Sequence, residues 1–276
     1  MASVHQGFQP VGDEGGLADA EANFRWLDQA DGHPLIRSLK HRLIAVCPVQ
    51  FGDQVLDVGC GLGHEAGRLA ALAGPQGRVF GVDSNPAMIA EATRRAADHD
   101  LPVTFAVGDA QQLTFADDTF DLCRTERVLR YVERADAAIA EMARVTKPGG
   151  SVLAFDFDSD MTIVDAPDMA LTRRIAELLD AAVPHPWIGR QLFGLLQRAG
   201  LRDVRVVPHA FTLTGRAGFG FYQQLNRGTL DQAKLAGKIH EDQLAAWWEP
   251  LEQAAEADTF FLSSFGFIAA GIKSAR

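Results

Sequence analysis

Three carboxylates stand at even intervals of 26 residues, Asp57, Asp83 and Asp109, and each closes a short apolar run: QVLD, RVFGVD and TFAVGD. An ionised carboxylate is acceptor-only and offers two oxygens, so such a row suits the hydroxyls and amines of a ligand. Directly after Asp57 comes Gly59-Cys60-Gly61-Leu62-Gly63. Glycine lets a backbone turn sharply out of a strand and lets a ligand meet main-chain amides with no Cβ in the way. Three alternating glycines exceed what a plain turn requires. The chemistry open to this set is ligand recognition by bare amides and carboxylates, with Cys60 read as a small residue in a tight loop.

Those residues need elements that bring them to one edge. Apolar runs of four to eight residues read as strands buried on both faces, and the 26-residue interval leaves room for one crossover helix between parallel strands. Each aspartate then sits at the carboxyl end of a parallel strand, the edge where open α/β sheets bind ligands. The spacing predicts a helix over 64–73, stopped by Gly74-Pro75-Gln76-Gly77, and another over 86–98 with Ser84 or Asn85 as its cap. A fourth strand spans 120–125. The next helix carries Ile139, Met142 and Val145 and stops at Lys147-Pro148-Gly149-Gly150, and a fifth strand follows over 151–158. Residues 17–47 read as two helices broken at Asp31-Gly32-His33-Pro34. Further on come helices near 168–182 and up to 200, a strand over 203–207, a helical stretch over 216–258 and an apolar strand over 260–272.

Composition narrows the partners. The 276 residues suffice for one large domain, and 26 basic against 36 acidic side chains give a net charge of −10. That balance lacks the electrostatic footprint for nucleic acid or an anionic membrane. The isolated cysteines Cys47, Cys60 and Cys123 and the scattered histidines predict no disulfide framework and no metal site. Residues 1–16 are polar and glycine-rich and read as a mobile leader, and the whole as a cytoplasmic protein without a membrane span.

The combination of Asp57, GxGxG, Asp83, the GDA at 108–110, the FDL of the fourth strand and the KPGG turn resembles the class I S-adenosylmethionine-dependent methyltransferase family over residues 51–152. Within it the chain is similar to the small-molecule branch of ubiquinone and natural-product enzymes, which points to secondary metabolism. The resemblance implies a Rossmann-like, doubly wound, mostly parallel seven-stranded α/β sheet with an antiparallel last strand. It implies one domain over 17–276, with a cofactor core at 51–158 and helical caps at 17–47 and 216–258. The cofactor would be S-adenosylmethionine, leaving as S-adenosylhomocysteine. Gly59 and Gly61 would lie along its methionine part, with Asp57 orienting that loop. Asp83 would accept the ribose hydroxyls, and Ser84 and Met88 would pack on the adenine. Asp109 and Ala110 would meet the adenine edge, and the backbone near Arg124 and Thr125 would face the sulfonium.

Methyl transfer from a sulfonium needs mainly alignment and desolvation, so the catalytic side chains are less legible than the cofactor site. Candidates are Glu126 and Arg127 after the fourth strand, read equally well as a mixed-charge helix start, and His185 on a proline-flanked loop, with His209, Asp156 and Asp158 behind them. Trp26, Trp187 and Tyr222 are candidate walls of a pocket for a small, partly apolar methyl acceptor. Two other readings stand. One is a binder of the same cofactor that does not methylate, acting instead in rearrangement, cyclisation or ligand-dependent binding. The other is a nicotinamide oxidoreductase, since Gly61-Leu62-Gly63-His64-Glu65-Ala66 loosely fits the dinucleotide fingerprint.

Overall fold

The computed structural model describes residues 17–99 and 101–274; the run 1–16, read above as a leader, lies outside the described residues. Seven strands, β1 (Gln54–Val58), β2 (Arg78–Asp83), β3 (Val103–Val107), β4 (Phe120–Glu126), β5 (Thr146–Val164), β6 (Leu201–Thr214) and β7 (Phe261–Lys273), form one sheet in the order β3-β2-β1-β4-β5-β7-β6. Strands β1 to β5 run parallel, and β7 pairs antiparallel with both β5 and β6. This is the expected doubly wound sheet with its antiparallel last strand. The chain order reverses between β1 and β4, so a crevice opens beyond their carboxyl ends.

The crossover helices follow their sequence signals. Helices α3 (His64–Ala73) and α4 (Pro86–Asp98) keep the predicted bounds, and Asn85, not Ser84, caps α4 by accepting from the amides of Ala87 and Met88. Helices α1 (Leu17–Gly32) and α2 (Pro34–Val46) break at His33-Pro34, where proline takes the first helical position and the His33 ring accepts from the Leu35 amide. Helices α5 (Ala135–Val145), α6 (Met169–Asp180) and α7 (Ile188–Arg198) complete the layers, and the helical stretch near the end divides into α8 (Gly215–Leu235) and α9 (Glu241–Glu256).

Two strands outrun the sequence reading. Lys147-Pro148-Gly149-Gly150 does not end the pairing: Thr146 lies opposite Phe120 and Ser151 opposite Leu122, so four residues bulge from a continuous β5. Strand β6 continues past Pro208 to Thr214. Proline breaks a central ladder, but β6 is an edge strand, where one side of the backbone has no partner strand to lose.

Alternation along the strands sorts the core. Leu56, Val58, Cys123 and Val152 face α5 and α7, packing with Ile139, Met142 and Leu192. Val55, Leu122, Leu153 and Phe155 face the opposite side and pack with Leu39 and Leu43 of α2 and Leu69 of α3. A third cluster joins α6, α8 and α9 to the start of β7, with Phe219, Tyr222, Trp248 and Phe260 in edge and tilted ring contacts. Burying each such large side chain contributes about 1.5 to 3 kcal/mol. The terminal helices therefore carry a core of their own.

Candidate functional site

Beyond the carboxyl ends of β1, β2 and β4 lies a cavity of about 1220 Å³. Its near wall is the glycine loop. The amides of Gly59 and Cys60 both donate to the Val82 carbonyl, which fastens the loop to β2. Gly59 has φ +75°, and a Cβ there would stand 2.2 Å from Val128. Gly61 has φ +52° with nothing within 4 Å of where a Cβ would be, and its amide donates to Asp83 Oδ2 at 2.9 Å. One glycine is thus required by packing, and the other leaves open space above the main chain.

Asp83 binds the loop on one side and the Asn85 amide, at 2.9 Å, on the other. Each carboxylate oxygen still has a lone pair for a ligand. Asp109 lies two residues beyond β3, is exposed, and accepts from the Gln111 amide at 2.8 Å. Ser84, Met88 and Ala110 line the same wall. Thr125 does not line the cavity: strand alternation turns it to the other face, where its hydroxyl donates to the Val58 carbonyl at 2.9 Å.

The floor is a network of buried charges. Asp57 and Arg124 are opposite each other in the β1–β4 register, on the α2–α3 face. Arg124, 2% exposed, lies 3.4 Å from Asp57, 3.0 Å from Glu65 and 2.7 Å from Glu126. Lys40 enters from α2, 3.0 Å from Glu65, 3.4 Å from Glu126 and 3.5 Å from Asp31. Burial pushes the Asp57 carboxyl up to about 6, more than Arg124 pulls it down. Burial also pushes Glu126 up, but Lys40, Arg127 and Arg124 together outweigh it and hold that carboxyl down at about 2. Within this floor Arg124 Nε and Glu65 Oε1 are buried without a hydrogen-bond partner. Each nevertheless faces an opposite charge, Nε at 3.4 Å from Asp57 Oδ1 and Oε1 at 3.0 Å from Arg124 Nη1, so the cavity lining presents paired charges of both signs, which fits a ligand that carries both an anion and a cation.

The three catalytic candidates are treated differently by the fold. Glu126 and Arg127 both reach the cavity, but Glu126 is held as a fixed anion, and Arg127 Nε donates to it at 3.2 Å from a backbone at φ +61°. A carboxylate this firmly ionised is a poor proton acceptor near neutral pH. His185 does not line the cavity: its ring Nε2 lies 3.0 Å from the Glu133 carbonyl and its amide donates to the Arg130 carbonyl, so it staples two loops. Of the aromatic candidates, Trp26 and Tyr222 line the cavity, while Trp187 stands outside it, 45% exposed. Asp158 is engaged by Arg190, and Asp156 accepts from the amides of Arg130 and Phe157.

The far wall is mainly apolar, built by α6, α8 and β6 with Ile175, Leu178, Phe211, Leu213, Phe221 and Leu225. Sequence reasoning passed over Lys40, although its place in the apolar series Ile36, Leu39, Leu43 marked it as a cation in a core stripe. It also passed over Asp180, which lines the cavity at the last residue of α6. Among the described residues no His, Cys, Asp and Glu group is arranged to hold a metal ion, and no helix is long and apolar enough to cross a membrane.

Comparison with known proteins matches a methyltransferase domain to residues 55–150. A 37.1 kDa protein of transposon TN4556 from Streptomyces fradiae is 37% identical over 185 residues, 66% of this chain, and the chain spans about half, 53%, of its length. The ubiquinone/menaquinone biosynthesis C-methyltransferase UbiE of Burkholderia cenocepacia is 32% identical over 164 residues, 57% of this chain and 68% of that one. Among solved structures, the Haemonchus contortus phosphoethanolamine N-methyltransferase 2 in complex with S-adenosyl-L-methionine aligns with TM-score 0.54 at 21% identity, over 86% of this chain and 53% of that one. The [4+2]-cyclase SpnF aligns with TM-score 0.54 at 20% identity, over 99% and 89%. At these identities the two structures speak for the fold alone.

Proposed function

We propose, given that this chain belongs to the class I S-adenosylmethionine-dependent methyltransferase family, that it transfers a methyl group to a small, partly apolar molecule held in the far half of the cavity. The observation that carries this reading is one cavity with two unlike halves: strand-end carboxylates and bare amides on one side, an apolar wall on the other.

The methionine end of S-adenosylmethionine is a zwitterion, and the mixed-charge floor offers a partner for each end. Asp57, Gly59, Gly61 and Arg124 would hold that end. Asp83 would accept the ribose hydroxyls with its remaining lone pairs, Ser84 and Met88 would flank the adenine, and Asp109 with Ala110 would meet its edge. The cofactor supplies a methyl group already activated by a positive sulfur. The chain's own part is to align the acceptor and exclude water. Helices over 17–47 and 216–258 serve as caps of a single domain, since α1, α2 and α8 all contribute walls to the cavity. The mainly apolar far wall, with Trp26 and Tyr222 on the lining, supports a small organic acceptor rather than a nucleic acid or a membrane surface.

The test is to incubate the purified protein with methyl-labelled S-adenosylmethionine and a fractionated small-molecule extract of its source. Label in a low-molecular-weight fraction is expected. Tight binding of the cofactor with no label transferred in any fraction would overturn methyl transfer in favour of a non-methylating use of the same site.

A further inference from the structure

The carboxylates around the cavity are mostly spoken for. Asp31, Glu65 and Glu126 are in ion pairs with Lys40, and Glu65 and Glu126 also with Arg124. Asp57 faces Arg124, and Asp83 is bonded to two backbone amides. Asp180 differs. It lines the cavity, is half-buried, and forms no ion pair among the described residues. It also sits at the carboxyl end of α6, where the helix dipole disfavours a negative charge. A carboxylate in that place is poorly explained by stability.

Three ties hold the segment that follows Asp180 against β5 and the turn beyond β4. The Ser159 amide donates to the Pro186 carbonyl, the His185 amide to the Arg130 carbonyl, and the His185 ring meets the Glu133 carbonyl. Ser159 and Trp187 are near enough to the Asp180 carboxylate to hold its pKa down against the effect of burial. Arg130 lines the same cavity, and its Nε is buried with no hydrogen-bond partner. A proton acceptor and an under-satisfied cation therefore face one space at the acceptor end.

We propose that Asp180 is the general base for the acceptor and Arg130 the cation that meets the oxygen it deprotonates, so that the acceptor is a phenol or enol. In the step assigned here the acceptor O–H bond breaks and its proton passes to the Asp180 carboxylate. The electron pair released, on the oxygen or on the conjugated carbon, forms the bond to the methyl carbon. The carbon–sulfur bond breaks with its pair retained on sulfur, and Asp180 returns the proton to water. Trp187 and His185 become positioning residues that fix Asp180 and its loop. The surroundings suit the role: burial raises the carboxyl above the ordinary range, Asp160 adds to this, and Ser159, Trp187 and Arg130 oppose it.

This inference rests on the methyltransferase reading, and its test separates the two. Wild type, Asp180→Asn and Arg130→Met are each titrated with S-adenosylhomocysteine by calorimetry, then with 4-nitrophenol by difference absorbance in the presence of S-adenosylhomocysteine, below the pH at which the phenol ionises. Saturable phenol binding is expected for wild type, weakened about tenfold or more in Asp180→Asn, because a charge-assisted hydrogen bond is lost. Arg130→Met weakens it less at this pH and more as the phenol ionises. Trp187→Phe gives an intermediate loss with an unchanged circular dichroism spectrum. Failure of wild type to bind the phenol, or equal affinity in Asp180→Asn, overturns the assignment. Failure of wild type to bind S-adenosylhomocysteine instead overturns the cofactor reading beneath it.

Discussion

Asp83 meets three demands with two oxygens. It pins the Gly61 amide, orders the turn into α4 through the Asn85 amide, and keeps lone pairs facing the cavity. Removing the side chain leaves two backbone donors unpaired and takes away the ligand's acceptor. Hydrogen bonds to a charged group contribute about 1.5 to 3 kcal/mol each, and every 1.4 kcal/mol is about tenfold in affinity. Asp83→Ala is therefore expected to weaken S-adenosylmethionine at least about thirtyfold by calorimetry while the protein stays folded. An unchanged dissociation constant would remove Asp83 from the cofactor site. Met88, by contrast, is buried and lines the wall without a polar contact to lose, so Met88→Leu should shift affinity by less than about threefold.

At the scale of elements, the buried charges act as the joint between α2 and the sheet. Lys40 carries α2 onto Glu65 of α3 and Glu126 of β4 together. Lys40→Met would leave those carboxylates with less compensation, and breaking a buried pair from one side costs about 3 to 5 kcal/mol. For a chain of this size that is a fall in Tm of roughly 6 to 20 °C by calorimetry. Adding Glu126→Gln should recover part of the loss, a coupling that two independent sites would not show. The joint also explains what could be read beforehand. The Rossmann-like core was legible because each aspartate closes an apolar run and α3 stops at Gly74-Pro75, all local signals. The salt network was not, because Lys40, Asp57, Glu65 and Arg124 meet only after four elements, α2, β1, α3 and β4, fold together. Strand alternation turned Thr125 away from the cavity while keeping Arg124 in it, and edge position let β6 run through Pro208. His185 and Trp187 drew notice by composition, yet their partners are the loops and carboxylate beside them.

For the whole molecule, the buried carboxylates set how stability depends on pH. Burial holds Asp156 up at about 6 against an ordinary 3.8, with Arg130 and two backbone amides pulling the other way. Between those values the folded protein holds a proton that the unfolded chain has released, so stability falls as pH rises through that window. Asp57, also pushed up to about 6, acts in the same direction. Glu126 acts oppositely: held at about 2 against 4.5, it contributes stability that is fully present above the unfolded value and is lost as the medium acidifies. The joint contribution of these three groups therefore peaks at roughly pH 3.5 to 4 and falls from there as pH rises. Asp156→Asn isolates one of them. The asparagine offers one acceptor oxygen where the carboxylate served the amides of Arg130 and Phe157, a cost that is the same at every pH. The titrating part is absent, so between pH 4.5 and pH 8 the variant should gain on wild type by about 2 kcal/mol in urea unfolding. A difference between the two proteins that stays constant across that range would mean the buried carboxylate is ionised throughout. The pH dependence would then have to come from the floor of the cavity, where Asp57→Asn is the variant that should flatten it.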